Sequence, residues 1–562
     1  MSVIVEKARQ QIKQSVNSAV LKAIENGDLE NAQLTPFTVE VPSNREYGDY
    51  AVNAAMVWAK LFHKAPRVIA QNICDNLDLS GTYIDRFEIA GAGFINFFLS
   101  DGYYADILLD IKQKGDDYGK SDFGKGQRIL VEFVSANPTG PMHIGNARGG
   151  ALGDCLASVL TMAGFETERE FYINDAGNQI NKFGLSLDLR YKQLYLDGIE
   201  MPEDSYHGED IITHAKAFAK QYGDSYIEKS EEERRAKLVE FALPKNIKGL
   251  HDDLLKYRIE YDTWFKESSL HESGETARII ELLKKSGYTY ENEGALWFKA
   301  TDFGCDKDFV LVRANGVPTY VVPDIAYHYN KLVTRNFDRA IDILGADHHG
   351  YVPRLKAALK ALGVDETRLD VVLMQMVRLV RDGEVIKASK RSGKAITLVT
   401  LLDEVPIDAA RFFFNLREPN SHFDFDLDLA VNQSNSNPVY YVQYAYARIC
   451  SIIRNLSAEG IDMRDCTKEE LSALNKSEER ELILHLAGFT DEIITSAKTY
   501  DPARITHYVT ELATKFHKFY SVCRVKGEDE SVMQARLNLC NDTAIVIKNI
   551  LTMLKIEAPE KM

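Results

Sequence analysis

The chain has 562 residues, of which 45% are hydrophobic and 27% charged, with a formal net charge of −16; this is an ordinary globular composition with room for roughly three or four domains. No run approaches the ~18 to 20 apolar residues of a membrane helix, and the opening MSVIVEKARQQIKQ mixes charged with apolar residues, which speaks against a signal peptide. Seven scattered cysteines without a CxxC pair indicate neither a structural zinc site nor a disulfide framework and fit a reducing cytoplasm, while the negative total says little about nucleic acid, whose binding depends on local patches.

Residues 1–113 read as a small α+β unit, with an amphipathic helix over 3–26 and a closing strand-like FEIAGAGFINFFLS. A polar, glycine-rich linker follows over 114–126. Strand and helix then alternate to residue 431. A short apolar run at 129–134, a helix over 143–162 stopped by Gly164, and a strand over 166–173 predict a βαβ unit in a parallel sheet. Residues 185–285 are charged and predict a helical insertion. The sheet pattern resumes over 309–322, where Asn315-Gly316 marks a hairpin. Strands over 340–344 and 370–377 flank a helix over 352–362. A polar stretch from Asn432 to Pro438 opens a third, all-helical unit, 432–562.

Ligands of open α/β sheets bind beyond the carboxyl ends of the strands, and the unusual residues of this chain sit there. His143 and Asn146 share a face at a helix start, where the helix dipole and free N–H groups favour a polyphosphate. Gly145, Gly149, Gly150 and Gly153 admit a ligand or a neighbouring backbone, although small residues packing helix on sheet would look the same. The segment 387–394 carries four positive charges in eight residues; it reads as a cationic loop closing on pyrophosphate, or as a solvated basic loop. Asp347-His348-His349 is a candidate metal cluster of the kind a phosphoesterase uses.

Taken together these segments are more specific than any one. His143-Ile144-Gly145-Asn146 resembles the HIGH motif of class I aminoacyl-tRNA synthetases, and Lys387-Ala388-Ser389-Lys390-Arg391 their KMSKS loop, with Asn146 and Ala388 as departures. VEFVSANPTGPMHIGNARGGALGD, DAARFFFNLREPNSHFDFDLDLA and NPVYYVQYAYARI are similar to segments of the arginyl-tRNA synthetases, and the likeness extends over essentially the whole chain.

The resemblance implies a Rossmann-like parallel-sheet catalytic domain over 114–431, a small N-terminal tRNA-contacting domain and an all-α anticodon-binding domain. It implies ATP with Mg²⁺, L-arginine and an arginine-accepting tRNA as substrates, with no zinc, DNA or membrane partner, and a monomer as the simplest state. His143, Asn146, Lys387 and Lys390 are the implied catalytic residues, and Gly145, Gly345, Asp347 and His348 join them at ATP. Asp324, Glu267 and Tyr320 are implied around the guanidinium, with Ser135 and Asn137 at the backbone end of the amino acid and Glu132, on the same strand, as a further candidate. Each has a plain alternative: Asp324 also fits a helix N-cap, Glu267 a surface carboxylate and Tyr320 a packing role. For RNA bases, the stacking candidates are Tyr440, Tyr441, Tyr444 and Tyr446, and a second surface of Phe516, Phe519 and Tyr520 with Lys515, Lys518 and Arg524. Specificity for lysine, a metal-dependent phosphodiesterase and an inactive tRNA-binding paralogue are the competing readings.

Overall fold

The computed structural model describes residues 2–42, 44–386 and 396–562. The first helix, Val3–Glu25, turns Ile12, Val16, Ala19 and Val20 inward onto the helices Pro66–Asp75 and Asp101–Lys114. Beside them lies an antiparallel sheet in the order Val39–Glu40, Tyr50–Val52, Phe94–Leu99, Ile84–Ala90. The single strand expected in FEIAGAGFINFFLS is therefore two strands. Gly91 and Gly93 adopt φ of 54° and 140° between them, and a side chain on Gly93 would stand 2.8 Å from the Pro66 Cβ, so the chain folds back there.

The central sheet is assembled from β1 (Arg128–Glu132), the helix α1 (Ile144–Met162), β2 (Glu166–Ile173), β3 (Thr263–Lys266), the helix α2 (Val321–Tyr329), β4 (Arg339–Gly345), the helix α3 (Val352–Ala361) and β5 (Leu369–Met374). Its five strands are all parallel, in the order β5-β4-β1-β2-β3. Helices cover both faces of such sheets, so the strands carry continuous apolar runs; Ile129, Leu130 and Val131 are all buried. The strand order reverses between β1 and β4, which opens a crevice at their carboxyl ends.

Three sequence expectations change here. The range 185–285 does hold the helices Glu209–Tyr222 and Glu231–Lys256, which with Gly177–Lys192 share a small core around Phe183, Tyr191 and Phe218. It also contains the edge strand β3, fastened by Trp264 stacked on Phe171 at 4.4 Å. The pattern over 309–322 is not part of the main sheet. The strand Phe309–Val312 pairs with Ala295–Phe298 in a separate antiparallel sheet. After the Asn315-Gly316 turn, only a Val312–Pro318 bridge forms before the chain enters α2. Pro318 has no N–H to extend a ladder, and Pro323 in the first turn suits a helix start. The run 370–377 is likewise divided, because Val377–Arg381 leaves β5 to pair with Phe423–Asp426.

The helical unit begins where Asn437 Oδ1 accepts the Val439 N–H at 3.2 Å, capping the helix Pro438–Ala458. It is joined to the sheet domain by a buried arginine. Arg411 donates from Nε to the Leu554 carbonyl (2.7 Å), from Nη1 to the Tyr257 carbonyl (3.0 Å) and from Nη2 to Asp154 on α1. Asp154 also receives Arg169 at 2.9 Å. Among the described residues, no helix is long and apolar enough to cross a membrane.

Candidate active site

Two clefts meet at the carboxyl ends of β1 and β4. One, of about 510 Å³, is lined by residues that include Glu132, Ser135, His143, Tyr172, Asp324 and Gly345. Its neighbour, of about 460 Å³, shares Ser135, His143 and Asn146 and adds Asn137. The chain leaves β1 through Val134 and Ser135, both at positive φ (68° and 40°). For a β-branched residue that backbone is strained and needs support. Ser135 Oγ supplies it, donating to Glu132 Oε1 (2.8 Å) and accepting the Tyr172 N–H (3.1 Å). The hydroxyl expected to hold the amino acid is thus largely engaged within the protein.

His143 and Asn146 form the start of α1 together. Asn146 Oδ1 accepts the His143 N–H (3.0 Å), and His143 Nδ1 accepts the Gly145 N–H (3.1 Å), a reciprocal cap. Both acceptors being used, the groups left to face the cleft are donors: the Asn146 amide NH₂ and His143 Nε2–H. Partial burial holds the imidazole below its ordinary pKa, so the neutral ring with hydrogen on Nε2 is the form at neutral pH. Of the glycines, Gly153 serves packing, since a Cβ there would stand 2.2 Å from the Phe133 ring; Gly149, 3.6 Å from Met374 by the same measure, lines the cleft. Lys387 and Lys390 lie outside the described residues. The chain returns at Ile396 alongside the His143 segment, with Ile144 N–H on the Ile396 carbonyl (3.2 Å) and Leu398 N–H on the Met142 carbonyl (2.9 Å).

Asp324 lines the larger cleft, whereas Glu267 lines neither cleft and lies behind it, interacting with Asp324 and Tyr172. Asp324 is in the first turn of α2, three residues past its start, so it is not the N-cap; its Oδ2 accepts the Tyr351 hydroxyl at 2.6 Å. Glu267, only 7% exposed, contacts His271 at 3.5 Å, and the Asn174 amide, turned to donate, reaches its Oε2 at 3.0 Å. Burial raises the Asp324 pKa, opposed by His328 and Tyr351. Burial raises Glu267 as well, with Asp324 adding to it against Tyr172 and His271. Among the described residues no lysine or arginine pairs with either carboxylate. Tyr320 stands at the rim, 60% exposed, near Gly177; it does not line the larger cleft, and Asn137 lines only the smaller one.

Next to Asp324 lies a buried set of residues of which the sequence had singled out only Glu132. Lys331 Nζ, fully buried, bonds Glu132 Oε2 and Asp342 Oδ1, the latter at 2.9 Å. His328 Nε2 reaches Asp342 Oδ2 at 2.6 Å. Glu132, His328 and Asp342 are near enough to suggest a metal, but the Lys331 ammonium already binds both carboxylates as the balancing cation. Asp347 and His348 are exposed, 3.9 Å apart, and His349, also exposed, is absent from the cleft lining; the three make no metal cluster. Asp347 Oδ1 folds back to 2.5 Å from where a Cβ on Gly345 would be, but that side chain is exposed and free to turn away, so packing alone does not require the glycine. The trace of the buried set in the sequence was a carboxylate within each of two apolar strands, Glu132 and Asp342.

In the helical unit, Phe516 and Phe519 are wholly buried and form core, contrary to the expected RNA surface; they follow the apolar face of Ala503–Val522. Lys515 and Lys518 pair with Glu511 and Glu481. Tyr446 is buried as well. Tyr444 and Tyr520 flank the Arg448 guanidinium at 5.7 and 4.7 Å. With Arg454, Arg524 and Lys526 they line a groove of about 800 Å³.

Comparison with known proteins matches three family models in succession. Residues 6–99 match the arginyl tRNA synthetase N-terminal domain, 108–426 the class I (R) tRNA synthetase catalytic domain, and 442–562 the DALR anticodon binding domain. The chain is 53% identical to an arginine–tRNA ligase of Acetivibrio thermocellus and 54% identical to one of Caldanaerobacter subterraneus, covering all of both chains. It superposes on the arginyl-tRNA synthetase of Thermus thermophilus with a TM-score of 0.73 at 22% identity, over 98% of this chain and all of the other.

Proposed function

The chain belongs to the class I arginyl-tRNA synthetase family, and on that premise we propose how its cleft serves the reaction. It is an arginine–tRNA ligase: ATP activates L-arginine, and the arginyl group passes to tRNA. An arginine carboxylate oxygen attacks the α-phosphorus of ATP. The bond from that phosphorus to the bridging oxygen of the β-phosphate breaks, and pyrophosphate leaves. The 2′-hydroxyl of the terminal tRNA adenosine then attacks the carbonyl carbon of the adenylate, losing its proton, and AMP departs.

No side chain forms a covalent intermediate in this scheme, so positioning and charge stabilisation supply the catalysis. His143 Nε2–H and the Asn146 NH₂ donate to the ATP phosphates, where the N-terminus of α1 adds its dipole. Lys387 and Lys390 receive the departing pyrophosphate, an assignment that rests on their motif and on the return of the chain beside His143. ATP enters as its Mg²⁺ complex. Gly345, Asp347 and His348 border the nucleoside end. Asp324 and Glu267 accept the planar guanidinium fork, Tyr320 closes over it from the rim, and Asn137 with the strained Ser135 backbone faces the amino acid's own amine and carboxylate. The groove around Tyr444, Arg448 and Tyr520 takes unpaired anticodon bases. The protein acts as a cytoplasmic monomer.

One observation carries the amino-acid assignment: among the described residues, no lysine or arginine pairs with Asp324, a buried carboxylate that lines the cleft, or with Glu267, the buried carboxylate that interacts with it. The test is ATP–pyrophosphate exchange with purified protein and Mg²⁺, with and without arginine-accepting tRNA, using arginine and lysine in parallel. Exchange supported by arginine alone, and lost in Asp324→Asn, is the expected result. Equal exchange with lysine, or none with any amino acid in the presence of tRNA, overturns the assignment.

A further inference from the structure

His328 has two hydrogen-bond partners, and both are acceptors. Nδ1 lies 2.7 Å from the Asp324 backbone carbonyl, which can only accept, so Nδ1 carries hydrogen. Nε2 lies 2.6 Å from Asp342 Oδ2. Asp342 is ionised: its other oxygen accepts the Lys331 ammonium at 2.9 Å, and although burial pushes its pKa up, Lys331 and His328 outweigh that and hold it below the ordinary value. A bare ring nitrogen 2.6 Å from a carboxylate would be repelled. Both ring nitrogens therefore donate.

We propose that His328 is held as an imidazolium whose charge keeps Asp324 ionised and whose Nδ1–H bond to the Asp324 backbone carbonyl, anchored by the Nε2–H bond to Asp342, holds it in place, making His328 a positioning residue for arginine binding. This rests on the assignment of Asp324 to the guanidinium. The groups facing the ring are Asp342 on β4, Lys331 after α2, and Asp324 on its own helix; Glu132 on β1 and Glu170 on β2 act on Lys331. Around Asp324 stand Tyr351, Glu132, Asp342, Glu267 and Tyr172. With His328 charged, the floor of the site holds two cations against two anions. With His328 neutral it holds one excess anion, directly below a carboxylate that burial already drives towards protonation. Burial alone would depress the imidazole, yet Asp342 more than offsets it and the net shift of His328 is upward.

The experiment measures kcat/KM for arginine in ATP–pyrophosphate exchange from pH 5.5 to 9, with tRNA present throughout. In His328→Gln the acid limb moves to higher pH by about one unit, the size of an opposite charge removed from a neighbouring carboxylate. KM for arginine rises while KM for ATP holds, and His328→Lys moves the limb back. A loss of activity with the limb unmoved shows a merely structural residue and overturns the inference, leaving the arginine assignment intact. Failure of the wild type to exchange with arginine overturns both. Nitrogen-15 spectra of the histidine-labelled full-length protein decide the matter without a variant: one of its 13 histidines keeps both ring N–H signals at pH 8, and the absence of any such ring refutes the proposal.

Discussion

Replacing Lys331 with methionine keeps the length of the side chain and removes its charge. The ammonium has no exposed surface, and its two partners, Glu132 and Asp342, are 9% and 3% exposed. Removing one member of a buried, bonded set leaves an uncompensated charge and costs about 3–5 kcal/mol. At ~2–4 °C per kcal/mol for a unit of 150–250 residues, that lowers Tm by roughly 6–20 °C, less for a larger unit. The loss depends on pH with a defined sign. In the variant, the orphaned carboxylate has its folded pKa raised by burial above its unfolded value. Its destabilisation is then complete above the folded pKa and fades as pH falls through it, because the folded state takes up the proton. Thermal unfolding followed by fluorescence of Trp264 and Trp297, both in the catalytic part, should show a large deficit at pH 8 that narrows towards pH 5.5. A deficit below about 1 kcal/mol at pH 8, or one constant with pH, would refute the view that the ammonium balances these carboxylates.

Asp324→Asn should lower kcat/KM for arginine by about 10²–10³, since a charged hydrogen-bonding partner contributes ~3–4 kcal/mol in a buried site; Glu267→Gln should lose less, because Asn174 and His271 already engage it. His143→Ala should reduce kcat in exchange by about 10² while leaving KM for arginine near wild type, as expected of a donor aimed at the phosphates. Asn146→Ala removes the cap as well as a donor, so it should lose both rate and about 1 kcal/mol of stability, seen as a lowered Tm. Gly153→Ala forces a methyl to 2.2 Å from the Phe133 ring and should cost about 1–3 kcal/mol by overpacking; an unchanged Tm in differential scanning calorimetry would show that the helix can lift from β1 freely.

The βαβ core was legible because its evidence is local. An apolar run, a polar turn and a helix beginning at His143 follow one another, and each bears its own pattern. β3 was lost among charged neighbours, as Thr263-Trp264-Phe265-Lys266 is four residues long and becomes a strand only through pairing with β2. The Val321-Val322 pair favours a strand by propensity, yet Pro323 in the first turn suits a helix start, and the helix is buried almost all round, from Val321 to His328, so no one-sided pattern announces it. The same division holds at the site. His143 and Asn146 announce themselves at a helix start. The Lys331–Glu132 contact joins residues 199 positions apart, and a lysine after a helix looks like any solvated lysine. Tyr172 and Tyr351 pass in the sequence for strand and helix packing, and only the fold sets their hydroxyls among the carboxylates.

Arg411 bears on how such a chain can be taken apart. Three sequence modules suggest three pieces that could be exchanged or expressed separately. The guanidinium that bridges Asp154 in the catalytic helix and the Leu554 carbonyl near the far end of the chain argues otherwise. A cut near residue 431 strands a buried cation with one of its three acceptors gone, and strips the carbonyl of its donor. The catalytic half is therefore completed by residues of the helical unit. Grafting the helical module onto a relative requires carrying residues 554–557 and their Arg411, Asp408 and Arg258 partners as one heritable block.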